Sequence, residues 1–254
     1  MTQTRLFSIK IDCLTLQEAV NAVINLALRK DRYSYVVTPN VDHIVKLQHD
    51  KEFLNVYQHA SLVLPDGQPL VWVSKLFHCP LIERVSGSDV FPLICKAAVG
   101  NNLRIFLLGG QKGVAGQAAR RLVNRFPGLQ IVGTYSPNFG FEKNYDENQK
   151  IIREITELDV DILFVGVGAP KQEKWIYEHL NELKVPVSLG IGASLDFEAG
   201  TVKRAPIWMR KVGLEWLWRL LHEPRRLGKR YVLDIVYFAL LSLRELKNRC
   251  SKKC

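Results

Sequence analysis

At 254 residues, 47% hydrophobic and 24% charged, the chain is long enough for one large domain with an appendage and too apolar for extensive disorder. Its five cysteines, Cys13, Cys79, Cys95, Cys250 and Cys254, are odd in number and form no C-x-x-C pair, which speaks against a disulfide framework or zinc site and for a reducing, cytoplasmic setting. The formal charge of +10 is confined to one end: residues 1–202 hold 21 basic and 21 acidic side chains and residues 203–254 hold 14 and 4, a block that suits phosphates, an anionic membrane or nucleic acid as partner.

The first twenty residues, MTQTRLFSIKIDCLTLQEAV, show no apolar run behind a basic patch, so no signal peptide is expected. In chain order, apolar periodicity predicts a helix near 15–30, a strand at 33–38, a helix near 40–59 and a strand at 62–64. Helices follow near 68–77 and 89–100, the second capped by Asp89; then come a strand at 104–109, a helix near 111–126 and a strand at 129–134. A helix near 145–157, a strand at 161–166, a helix near 170–182 and a strand at 187–192 complete the alternation. Strands separated by helices predict an α/β fold, a Rossmann-like, largely parallel sheet flanked by helices. A composition shift near Lys203 divides an α/β catalytic core, 1–203, from a basic, amphipathic helical C-terminal appendage, 204–254.

In such folds ligands bind beyond the carboxyl ends of the strands. Those ends carry Thr38-Pro39-Asn40, Pro65-Asp66-Gly67, Gly109-Gly110-Gln111, Gly168 to Glu173, and Gly192-Ala193-Ser194. Asp66, gripped by Pro65 and Gly67, suits either a helix N-cap or a general base aimed into a cleft. Gly109 and Gly110 open a helix start that favours phosphate, or simply make a tight turn. The next strand end, Ile131 to Tyr135, lacks the acid that a dinucleotide fingerprint wants, which demotes NAD. Lys171 and Lys174 beside Gln172 and Glu173 oppose a helix dipole, so either an anionic or polar ligand offsets them or the helix start is solvated. Arg84 could clamp a phosphate or form a surface ion pair. Asp159-Val160-Asp161 imitates a D-x-D metal motif but precedes a strand and falls on the opposite rim, and the six histidines form no ligand pair. No metal and no cofactor are expected.

The basic segment places Arg219, Arg225, Arg226, Lys229 and Arg230 close to helical spacing, suited to a diphosphate. Residues 231–243 are nearly all apolar, but 13 residues make a helix of about 20 Å, too short for a bilayer core of about 30 Å. Asp234, Ser242, Glu245 and Arg249 share one stripe, which predicts a helix lying on an anionic membrane surface, or one docked on the core.

Taken in order, Thr38-x-Asn40, Asp66-Gly67, Arg84-x-x-Gly87-x-Asp89, Gly168-Ala-Pro-Lys-Gln-Glu173 and the block Ala199-Gly200, Arg204-Ala205-Pro206, Gly213-Leu-Glu-Trp216, Arg219, Glu223-Pro224-x-Arg226 resemble the WecG/TagA/CpsF glycosyltransferases. That resemblance implies a metal-independent, inverting transferase that moves an N-acetylhexosamine, or its uronate, from a UDP-sugar to a polyprenyl-diphosphate-linked GlcNAc. It implies that Asp66 is the general base, that Thr38, Asn40, Arg84 and Gln172 line its pocket, and that Arg219, Arg226 and Arg230 reach the acceptor's diphosphate. It also implies an enzyme peripheral to the inner face of a bacterial plasma membrane. A nucleic-acid-binding protein using the same basic tail is the rival reading. An oligomer is compatible with the sequence.

Overall fold

The computed structural model describes residues 2–251, except for the side chains of Arg226, Cys250 and Ser251. The chain opens with an antiparallel hairpin, β1 (Gln3–Leu6) and β2 (Ile9–Asp12). Helix α1 (Leu16–Ala27) starts at a capping box in which Thr15 and Glu18 satisfy each other's backbone N–H groups. Then come β3 (Ser34–Val37), α2 (Val41–Lys46), α3 (Lys51–Gln58), β4 (Leu62–Val63), α4 (Gln68–Leu76) and α5 (Gly87–Gly100). The second half adds β5 (Arg104–Gly109), α6 (Val114–Arg125), β6 (Gln130–Tyr135), a 3-10 turn at Phe141–Lys143, α7 (Tyr145–Glu157) and β7 (Ile162–Gly166). It continues through α8 (Lys171–Glu178), α9 (Leu180–Leu183), β8 (Val187–Gly190) and α10 (Ser194–Ala199). The basic segment forms α11 (Ile207–Lys211), α12 (Glu215–His222) and the long α13 (Pro224–Ser251).

Six strands form one parallel sheet in the order β4-β3-β8-β7-β5-β6. Right-handed crossovers then fix the layers. Connections that step toward β4 run through α2, α3, α7 and α8 on one face; those that step toward β6 run through α5 and α6 on the other. Side-chain alternation serves both faces: Ile105 and Leu107 of β5 join the α5/α6 cluster, and Phe106 and Leu108 join the opposite one. Gly109 makes the β5–β7 approach possible, since a Cβ there would stand 2.4 Å from the Gly166 carbonyl oxygen.

The α/β expectation holds, with local differences. The hairpin was not expected; it is anchored where Asp12 Oδ2 accepts from Val63 N at 2.8 Å. The helix expected over 40–59 is two helices, because Asp50 breaks the run and caps the second by accepting from Phe53 N. The helix expected at 89–100 begins two residues earlier, and Ser86, not Asp89, is its cap.

Helix α13 lies across the β1–β2 side of the molecule. Leu227, Asp234 and Phe238 face inward, with the Phe238 ring 5.4 Å from that of Phe7. Arg249 sits over the Phe77 ring at 5.1 Å. The polar stripe therefore faces the protein. Val232, Leu233, Ile235, Val236, Leu240 and Leu243 point outward, 47–66% exposed. Among the described residues no helix is long and apolar enough to cross a membrane.

Candidate active site

A cleft of about 390 Å³ opens where the β3 and β4 loops meet the basic segment. Asp66 lies in its wall, partly buried. Two backbone bonds fix its loop: Asp66 N donates to Pro39 O, and Val85 N donates to Pro65 O, both at 2.8 Å. Gly67 follows at φ 146°, a conformation other residues adopt only with strain, and it rather than Asp66 caps α4. The carboxylate is thus free of capping and aimed at the cleft. Desolvation pushes its pKa up to about 7. The Arg84 guanidinium opposes that rise, Glu215 and Asp89 reinforce it, and the Gly87 N–H opposes it weakly. A carboxylate that titrates near neutrality is suited to taking a proton from an alcohol.

Arg84 is not a free phosphate clamp. Its Nη2 lies 2.7 Å from Asp89 Oδ2 and its Nη1 lies 3.2 Å from Glu215 Oε2. Arg204 completes a ring, with Nη2 at 2.7 Å from Asp89 Oδ1 and Nε at 3.1 Å from Glu215 Oε1. Burial alone would raise Asp89's pKa, but Arg204 and Arg84 together hold it below the usual carboxylate range. By contrast, Arg219 and Arg230 line the same cleft and make no ion pair among the described residues. Arg219 Nε is buried with no hydrogen-bond partner. The charge balance therefore separates Arg84 and Arg204, saturated by carboxylates, from Arg219 and Arg230, which have no carboxylate within ion-pair distance among the described residues; Arg230 lies over the Tyr231 ring at 5.6 Å. The Arg226 side chain lies outside the described residues.

The other expected site residues divide by position. Asn40 lines the cleft and caps α2, its Oδ1 accepting from His43 N at 3.2 Å. Thr38 is buried beneath the cleft, its Oγ1 donating to Gly190 O at 3.5 Å. Gln172 is buried and consumed: its Oε1 accepts from Gly168 N and Gly192 N, both at 3.1 Å, and its Nε2 donates to Glu173 at 2.7 Å. Gln172 thus rivets the β7 and β8 loops together. Glu173 is fully buried, and burial pushes its pKa up to about 7. Lys171 and Lys174 are offset by the protein's own carboxylates, Glu142 at 2.7 Å for the first and Asp50 at 2.9 Å for the second. Gly109 and Gly110 sit three strands from β3 and do not line the cleft. Asp161 stays on the far rim, accepting from Arg104 N and paired with Lys30.

Several cleft residues escaped the sequence reading. Glu215, Asp42, Asp234 and Trp72 all line it. Glu215 stands inside the Gly213–Trp216 run, but nothing local marks its partner 131 residues away. Asp234, expected only as part of the polar stripe of a helix lying on a membrane or docked on the core, is buried against the protein, and desolvation, with Asp42 nearby, raises its pKa.

Residues 4–252 match the family described as the glycosyl transferase WecG/TagA/CpsF family. A Bacillus subtilis (strain 168) N-acetylglucosaminyldiphosphoundecaprenol N-acetyl-beta-D-mannosaminyltransferase is 34% identical over 200 residues, 79% of this chain and 75% of that protein. A protein of the same name from Staphylococcus aureus (strain MW2) is 30% identical over 225 residues, 89% of this chain and 86% of its own length.

Proposed function

Because the chain belongs to the WecG/TagA/CpsF glycosyl transferase family, we propose that it moves N-acetylmannosamine, or its uronate, from a UDP donor to N-acetylglucosamine on a polyprenyl diphosphate, with inversion at the anomeric carbon. The observation that carries this reading is the position of Asp66, its pKa raised to about 7, under the unpaired Arg219 and Arg230 in one cleft. Asp66 takes the proton of the acceptor hydroxyl as that oxygen attacks the anomeric carbon. The bond to the donor's phosphate oxygen breaks, and its electron pair leaves with UDP. Arg219 and Arg230 meet the acceptor's diphosphate, and Asn40 and Arg84 shape the wall around the reacting sugars.

Residues 204–254 serve as an appendage that brings this cleft to the membrane. The outward apolar face of α13 dips into the interface, and Arg225, Lys229 and Arg244 near its ends meet anionic headgroups. The enzyme would then work as a peripheral protein at the inner face of the plasma membrane. A nucleic-acid reading gains no support here, because the outward face is apolar rather than basic.

The test is Asp66→Asn, assayed by mass spectrometry with a panel of UDP-sugars and a synthetic GlcNAc-diphosphate-lipid acceptor. Turnover should fall by roughly 10²–10⁴-fold with UDP affinity retained. Near-normal turnover would refute the base assignment, and no sugar transfer by the unaltered chain would refute the reaction.

A further inference from the structure

The docking of α11 and α12 over Asp66 rests on little apolar contact. Helix α12 buries no residue fully and α11 buries only Met209. Apart from the inward side chains of α13, what joins this segment to the cleft wall is the ion ring, each of whose four side chains is 16–18% exposed, so water screens it only in part; Arg210 of α11 adds a looser contact, its Nη1 3.7 Å from Asp89 Oδ1. The ring is shared evenly: Arg84 and Asp89 come from the core, Arg204 and Glu215 from the segment. Further bonds tighten it. Arg204 Nη1 donates to Ser88 O at 3.0 Å, Ser86 Oγ donates to Asp89 Oδ2 at 2.7 Å, and Trp218 Nε1 donates to Lys203 O at 3.1 Å.

The ring is also part of the surroundings of Asp66. Arg84 faces it from the loop before α5, Asp89 from the first turn of α5 and Glu215 from α12. Arg219, also from α12, Asp42 from α2, and Arg230 and Asp234 from α13 share its cleft, with the buried Tyr57 of α3 behind. Glu215 touches both arginines of the ring and lines the cleft itself.

Resting on the reading of Asp66 as the base, we propose that Glu215 is a positioning residue that couples closure of the segment to the setting of Asp66. By bridging Arg84 and Arg204 it fastens α12, and with it Arg219, over the cleft. In the same act it draws Arg84's charge toward itself and away from the base. An acceptor held by Arg219 and a base kept basic enough to deprotonate it are therefore assembled together. With the segment undocked, Arg84 keeps only Asp89 as carboxylate partner, and Asp66 loses the neighbouring negative charge.

The experiment compares full-length Glu215→Gln and Arg204→Gln with the unaltered chain, using the synthetic lipid acceptor at saturation so that the segment is docked. Both variants should raise the acceptor KM about tenfold with the donor KM little changed, and both should speed hydrogen exchange over 204–222 in the free protein. The pH profiles of kcat should separate them. Glu215→Gln removes a negative charge near the base, so the acid limb moves to lower pH. Arg204→Gln leaves Glu215 with Arg84 alone and Asp89 with Arg84 and the more distant Arg210, so the limb moves to higher pH. A passive fastening would move both limbs the same way or neither, and either result overturns the proposal. So does a Glu215→Gln variant with unaltered exchange and acceptor KM. If one variant fails to fold, the other still gives a signed limb. The two readings fail separately: an active Asp66→Asn sinks the base, whereas an inactive Asp66→Asn with unmoved limbs sinks only the role of Glu215.

Discussion

The α/β core and the C-terminal segment are built on opposite rules. In the core, α1 alone buries six residues and α5 six, on a sheet whose central strands are buried on both faces. In the segment, α13 spans 28 residues yet turns most of its apolar side chains outward and its acids inward. The core is held together by apolar burial, which salt leaves largely intact. Helices α11 and α12 are held near the site by a ring of charge, and the outward apolar face of α13 is the one proposed above to meet a membrane. On the function proposed above, the apolar core fixes Asp66 and the charge-fastened helices bring the acceptor to it.

The sharpest way to press the contrast is to damage each side equally. Phe164 is fully buried, its ring 4.6 Å from that of Phe91. Phe164→Ala should lower the unfolding free energy by about 3–5 kcal/mol in denaturant titrations. Phe238→Ala, at the junction of α13 with Phe7, should lower it far less. Equal losses would mean that the segment is part of the core after all.

Deleting residues 225–254 comes next in size. The α5/α6 cluster loses nothing and the opposite one loses Phe238 with the flanking Leu241 and Leu246, so the midpoint of core unfolding should move much less than in Phe164→Ala. Transfer to the lipid acceptor should fall roughly 100-fold, because one charge-assisted contact to the diphosphate and the apolar anchor go together. Vesicle flotation and single-turnover transfer check both. Unchanged flotation would break the assignment of α13 to the membrane.

How far the contrast was visible in the residues follows from the same physics. The six sheet strands were legible because parallel strands are short apolar runs between turn signals, and 104–109 matches β5 at both ends. The β1–β2 hairpin was not, since its turn uses Phe7 at φ 54°, where no Gly or Asn advertises it. Asp66 was legible through its Pro and Gly neighbours. The ring was not: Arg84 and Glu215 lie far apart in the chain and meet only after folding. The orientation of α13 was not either. Periodicity finds a polar stripe but cannot say whether it meets water or protein, and here Asp234 meets the cleft.

A smaller effect tests the outward face alone. Val236 and Leu240, 52% and 57% exposed, head the surface assigned to the membrane. Val236→Glu with Leu240→Glu should leave thermal stability within about 0.5 kcal/mol. Partitioning onto anionic vesicles should weaken by tenfold or more, since two apolar contacts are lost and two negative charges added. A drop in stability with partitioning intact would show that the face is covered by the protein itself.

The smallest effect concerns the place where the core departs from its own rule. Glu173 is fully buried with Oε2 lacking a hydrogen-bond partner among the described residues, and desolvation lifts its pKa from 4.5 to about 7. Gln172 and Lys46 only partly oppose that rise, and Asp42 adds to it. Between those two pH values the folded chain keeps a proton that the unfolded chain has released, so stability is lost as pH rises through the window. Glu173→Gln is neutral throughout. It should melt a few degrees higher than the unaltered chain at pH 8 and close to it at pH 5. Asp66, raised in the same way, leaves a residual pH dependence of the same sign in both proteins. A difference in melting temperature that is flat across that range would mean that Glu173 stays ionised in the fold, paired with a cation, and that the core holds a charge where burial alone would not allow one.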